Sequence, residues 1–304
     1  MDGFDREKHF TQPHLQHARH LPALEELQRH IEETLHKVSL TDMGDFKMPT
    51  RVCCYATAEI VEDLNRAMLQ GLKIGSYSAA ETLSRTSLEN SINMIFFNKD
   101  FTSNTPKSLF LNYFNTAKER ARKWNRYAVR SNDAESIERS SDFEQSLNLI
   151  RGMFGDLDSK GVKGWPDAYS RFRDTGYEYG YHVLFAPASD STHSFSNDLF
   201  NRFFSEALPV SDEEKREQFD GHRAEKISFS FYLATNAIQF YCVAASHIAD
   251  RAKDDEACDR FQIIGKALAE MLMEHENLTK SCLDILAPAR EEILARKEDA
   301  SNAS

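Results

Sequence analysis

The sequence predicts an all-α protein, a single compact multi-helix bundle of about nine or ten helices. Three observations predict it. Only 12 Gly and 8 Pro interrupt 304 residues, too few for a turn-rich β fold. No stretch sustains the period-two alternation of a half-buried strand, whereas helical periodicity recurs along the chain. An apolar fraction of 41% is enough for one substantial core.

Residues 1–21 read as an irregular, His-rich arm. His14, His17 and His20 are three apart, so a helix would bring them to one side as a metal site. No Cys joins them, and Pro13 and Pro22 bracket the run, so the reading is a loose polar arm. One helical domain follows over 22–298. Its predicted helices are 22–38, 55–72, 76–98, 106–130, 134–154, 166–186, 190–207, 224–252, 255–282 and 284–297. The run Ile227–Ala249 has no Asp, Glu, Lys or Arg and is long enough to span a bilayer. Asn236, Gln239 and His247 would be costly in lipid, so it reads as a central buried helix and no membrane is expected. The polar breaks 155–165 and 208–222 read as connections. In the first, Asp156, Asp158 and Gly161 match a calcium loop, but Lys160 and Asp167 stand where it needs an oxygen ligand and a Glu. A disordered tail is expected over 299–304.

The net charge of −11 argues against general nucleic-acid coating and leaves room for a local basic site. Cys53, Cys54, Cys242, Cys258 and Cys282 are odd in number and form no C-x-x-C pair, as expected of reduced thiols in a cytoplasm. The N-terminus lacks the apolar stretch of a secretory signal. There is no P-loop, G-x-G-x-x-G, G-x-S-x-G or H-E-x-x-H motif, and His222 and His275 have no partner at metal-ligand spacing. No metal or other cofactor is expected.

Polar residues in apolar places point to a site. In "ETLSRTSLENSINMIFF", Leu88, Ile92, Ile95 and Phe96 share one helical sector, and Arg85 and Glu89 fall inside it. Four apart, they can pair. One reading is a structural ion pair. The other is a site in which Arg85 binds an anion and Glu89 orients it or acts as a base; Asn93 continues the row. In "KERARKWNRYAVR", Lys118, Arg122, Arg126 and Arg130 make a basic ridge, with Trp124 and Tyr127 interleaved. It could take phosphates and stack bases, or be a solvated face that meets acids from 132–144. In "YHVLFAPASDSTHSFSND", Ser189 or Asp190 can cap a helix whose first turn holds Ser191, Thr192 and His193. Such a turn suits a phosphate, and His193 can move a proton near neutral pH. Tyr177, Tyr181 and His182 would line the same pocket. The alternative is a capped helix with one hydrogen-bonded histidine.

The order of "AAETLSRTSLENSINMIFF", "ARKWNRYA", Trp165 and "GYEYGYHVLFAPASDSTHS" resembles a bacterial family of unknown function, DUF5677, over roughly residues 50–250. The resemblance marks Arg85, Glu89, Trp165, Tyr181, Ser189 and His193. A wider resemblance is to HEPN-type helical proteins, often RNase toxins and phage-defence effectors. It implies metal-independent RNA cleavage, with His moving protons at the ribose 2′-OH and Arg stabilising the phosphorane. The sequence departs from the HEPN R-x(4–6)-H motif. Ala188, Pro187 and Ala186 precede His193 at those spacings, whereas Arg29 and His36, which fit, lie outside the matching region.

The expectation is therefore a cytoplasmic effector acting on RNA or a nucleotide, as a HEPN-like ribonuclease in defence or toxicity. Arg85, Glu89 and His193 would be catalytic. Tyr177, Tyr181, His182, Ser189, Ser191, Thr192, Lys118, Arg122, Trp124, Arg126 and Arg130 would hold substrate. The alternative is a non-catalytic helical scaffold that binds a partner protein of a defence system or a second copy of itself.

Overall fold

A helix built on Ile227–Ala249 can bury every face, because nothing on it carries a full charge. In the computed structural model this run is the middle of a 41-residue helix, and Phe231, Leu233, Ala234, Ile238, Tyr241 and Ala245 are all buried. The structure describes residues 7–38, 48–155, 157, 161–188, 196–207 and 211–302, with backbone alone at 196–198, 204, 205 and 281–302. The helices are α1 (Leu21–Leu35), α2 (Met48–Lys73), α3 (Tyr77–Asn98), α4 (Asn104–Arg130), α5 (Ala134–Gly152), α6 (Ala168–Thr175), α7 (Ser196–Ala207), α8 (Asp212–Ala252) and α9 (Asp255–Asn302). No strand occurs among the described residues. The fold is an all-α bundle. None of its helices is long and apolar enough to cross a membrane, among the described residues.

Helices α2 and α3 form an antiparallel pair, α8 lies along α3, and α1 and α9 both pack on α8. Some polar side chains inside this core satisfy one another. Asn65 donates to Gln28 at 2.9 Å and accepts from the Ser87 hydroxyl at 2.5 Å, tying α1, α2 and α3 together. The buried Glu62 carboxylate accepts from the Tyr241 hydroxyl at 2.7 Å, joining α2 to α8. Helices α4 and α5 form a hairpin that packs mainly on itself and meets the body at α2 and α3. Its small core is Phe114, Ala117, Leu147 and Leu157.

Several expected boundaries move. The arm over 1–21 is helical turns from Glu7 to His20, and His14 and His17 are buried against the body rather than loose. The connection expected over 208–222 becomes helix from Asp212, because Ser211 and Glu214 form a reciprocal capping box. The helix expected over 166–186 breaks at Gly176, whose φ of 91° ends α6. The two last predicted helices merge into α9, which carries the expected tail as helix to Asn302. Of the calcium-loop positions, Asp156, Asp158 and Lys160 lie outside the described residues.

Candidate functional site

Tyr77, Glu81, Arg85 and Glu89 recur every fourth residue on α3 and so share one face. The expected Arg85–Glu89 pair does not form. Glu89 instead binds the guanidinium of Arg171 on α6. Arg171 also donates to the Pro166 carbonyl at 2.7 Å and lies 5.0 Å from the centre of the Trp165 ring. Trp165 in turn sits 5.7 Å from both Phe96 and Phe97. Arg171 is only 4% exposed, so burial pulls its pKa down while Glu89 opposes the shift. Glu81, fully buried, accepts from Lys226 Nζ at 2.6 Å and Ser230 Oγ at 2.7 Å, both on α8.

Arg85 lies between these two bound carboxylates. Its guanidinium carbon is 4.1 Å from the centre of the Phe185 ring, its Nε is buried without a hydrogen-bond partner, and it has no carboxylate partner among the described residues. The row thus presents one guanidinium held by a ring and not neutralised. Asn93, one turn beyond Glu89, has a buried Oδ1 without a partner.

Phe185 ends the π-helical turn Tyr181–Phe185. Tyr181 packs 5.5 Å from Phe185 and 5.3 Å from Tyr169, so it buttresses the ring under Arg85. Tyr177 faces Phe240 at 5.3 Å instead, on α8. His182 is exposed at the outer edge, 5.8 Å from Tyr169. Gly180 leaves room for the Phe240 ring: a Cβ there would lie 3.0 Å from Phe240 Cζ. The described chain reaches Ala188, fully buried; Ser189, Ser191, Thr192 and His193 lie outside the described residues.

The basic ridge on α4 is partly paired. Arg122 meets Glu144 of α5 at 3.0 Å, Lys118 lies 3.8 Å from the same carboxylate, and Arg126 meets Glu119 at 3.3 Å. Arg130 has no carboxylate partner among the described residues, and Trp124 and Tyr127 are exposed. This is the solvated face that meets acids from 132–144.

The histidines of the N-terminal segment dock elsewhere. His17 shares a 2.8 Å hydrogen bond with Ser228 and stacks 3.8 Å from His275, which stacks 4.6 Å from Tyr232. Burial first, then the neighbouring histidines, push His17 down to about 4 and His275 down to about 3. Among the described residues no group of three His, Cys, Asp or Glu side chains is arranged to hold a metal ion. His14 and His275 line a cavity of about 350 Å³ with Glu81, His222, Lys226 and Ser228.

Sequence reasoning missed Arg171, Glu81 and Lys226. The Arg171–Glu89 contact spans 82 residues and the Lys226–Glu81 contact 145, so no local spacing announces either. The one available signal was that Glu81 and Glu89 flank Arg85 on a single helical face.

No curated protein and no solved structure matches the chain. The model of a family of unknown function, DUF5677, matches residues 55–208, a span holding the α3 row, the α4–α5 hairpin, Trp165, Arg171 and the Tyr181–Phe185 turn. On that match, over half of its length, the chain belongs to the DUF5677 family.

Proposed function

We propose that this protein is a helical effector acting on RNA or a nucleotide, with Arg85 as its phosphate contact and His193 as its proton carrier. The observation that supports the reading is the state of Arg85: seated on Phe185 and lacking a carboxylate partner among the described residues. A guanidinium in that state suits the planar, multidentate recognition of phosphate. Glu89 serves the site indirectly, fixing α6 through Arg171, and the Tyr181–Phe185 stack holds Arg85 in place. On an RNA strand the ribose 2′-oxygen would bond to phosphorus as the 5′-oxygen leaves. One proton passes from the first oxygen to the second through His193, and Arg85 offsets the charge on the phosphorane. The HEPN-type resemblance alone supplies the setting in defence or toxicity.

The test is incubation of purified protein with RNA beside a His193→Ala variant. Loss of cleavage in the variant supports the reading. Equal products from both, or none from either, removes the catalytic role.

A second reading, a helical scaffold for a partner protein or a second copy, rests on a different observation. Leu149, Ile150, Met153 and Phe154, at the end of α5 and just beyond it, are exposed side by side, Met153 at 78%. Light scattering on Leu149→Glu and Met153→Glu variants separates the two. A wild-type assembly that these changes dissociate favours the scaffold.

A further inference from the structure

The geometry points to a second anion site, at the outer end of α3, built to hold the phosphate of a nucleotide-sized ligand. A pocket of about 490 Å³ opens there, lined by Ser76, Ser78, Arg202, Phe219, Arg223 and Lys226, among others. Three helices meet at it: the start of α3, α7, and successive turns of α8. Three of its side chains are cations, and no carboxylate lines it among the described residues. In a chain of net charge −11, such a concave, one-signed surface focuses positive potential.

The cations differ in how far they are committed. Lys226 reaches inward to the buried Glu81 at 2.6 Å. Arg202 and Arg223 are exposed and have no carboxylate partner among the described residues. Arg202 lies 5.9 Å over the Phe219 ring, which restrains its guanidinium at the mouth. Two guanidinium groups offer several donors to one dianionic phosphate, a better match than a monoanionic carboxylate would be. The α3 start adds to this without carrying it: Ser76 makes no side-chain cap bond and the first turn holds no acid.

The room is larger than a phosphate needs. Asn201, His222 and Lys226 also line the adjoining 350 Å³ cavity, so the two chambers share a wall of side chains. Together they have the size of a small-ligand site. The phosphate would sit between Arg202 and Arg223, and the rest of the ligand would extend toward Phe229 and His275. The site does not depend on the role given to Arg85, which lies two turns further along α3, roughly 12 Å away by helical rise.

The experiment is calorimetric titration of the full chain with AMP, adenosine, inorganic phosphate and a 5′-phosphorylated oligoribonucleotide. AMP is expected to bind at least tenfold more tightly than adenosine. The Arg202→Ala/Arg223→Ala double variant should weaken AMP at least tenfold with an unchanged melting temperature, since both side chains are exposed. Repeating the titration in an Arg85→Ala background separates this site from the phosphate contact proposed for Arg85: the loss caused by the double variant should be the same in both backgrounds. Binding of the oligonucleotide but not AMP, lost in the double variant, assigns the phosphate to an RNA end and supports the site. Equal affinity for AMP and adenosine, no binding of any phosphate probe, or a double variant that binds as the wild type does overturns it. His193→Ala, inactive or not, does not enter this outcome.

Discussion

Arg171 on α6 takes the carboxylate of Glu89 on α3, although Arg85 stands one turn away from Glu89 on its own helix. That choice divides the row into two functions. Glu89 becomes an anchor between distant segments, and Arg85 keeps its charge for something else.

Removing the anchor should cost stability. Glu89→Gln leaves Arg171, 4% exposed, without its counter-charge. Breaking a buried pair from one side costs about 3–5 kcal/mol, and the partial exposure of Glu89 lowers the expectation to about 2 kcal/mol. Urea unfolding measures it. A change under ~0.5 kcal/mol would mean that Arg171 does not need the carboxylate.

Gly180→Ala tests the aromatic packing beside Arg85. The new methyl would stand 3.0 Å from Phe240 Cζ, so the ring on α8 must give way by a few tenths of an ångström, while Phe172 Cε1 at 3.6 Å stays in ordinary contact. Overpacking of this kind costs about 1–3 kcal/mol. A thermal melt reads it, and an unchanged midpoint would show that the ring moves freely.

The stacked histidines set a pH dependence. His17 and His275 are held near 4 and 3, chiefly by burial, against 6.5 for the free side chain. His14, His20 and Arg19 face the same cluster. Between pH 6.5 and about 4 the unfolded chain therefore binds more protons than the folded one, and stability falls as pH falls through that window. Above about pH 8 the pair contributes almost no slope. Urea melts at pH 7.5 and 5, compared with His17→Gln and His275→Gln, check it. Variants that lose as much stability on acidification as the wild type would place the dependence elsewhere.

The centre of the fold was legible in the sequence through one feature, the run Ile227–Ala249 without full charges, which is central and buried. The start of its helix was also written locally, in the S-x-x-E of Ser211 and Glu214. Only the polar composition of that stretch argued for a connection. The N-terminal histidines were not legible, because what orders them is non-local: His17 meets Ser228, 211 residues away. The site was legible in part. Helical spacing placed Arg85 and Glu89 on one face, but spacing permits an i,i+4 pair without deciding it. The buried Arg171 competes for Glu89 and wins. On α4, Glu144 from the neighbouring helix is shared by Lys118 and Arg122, as expected of a solvated face that meets acids from 132–144.

The rate of RNA cleavage by Arg85→Ala, set against Arg85→Lys and the wild type, bears most directly on the role of Arg85. Loss of one charge-assisted phosphate contact is worth about 1.5–3 kcal/mol, roughly a tenfold to hundredfold fall in rate. Arg85→Lys should recover part of it while the fold, read by circular dichroism, stays intact. Cleavage at the wild-type rate by a folded Arg85→Ala protein would contradict the account.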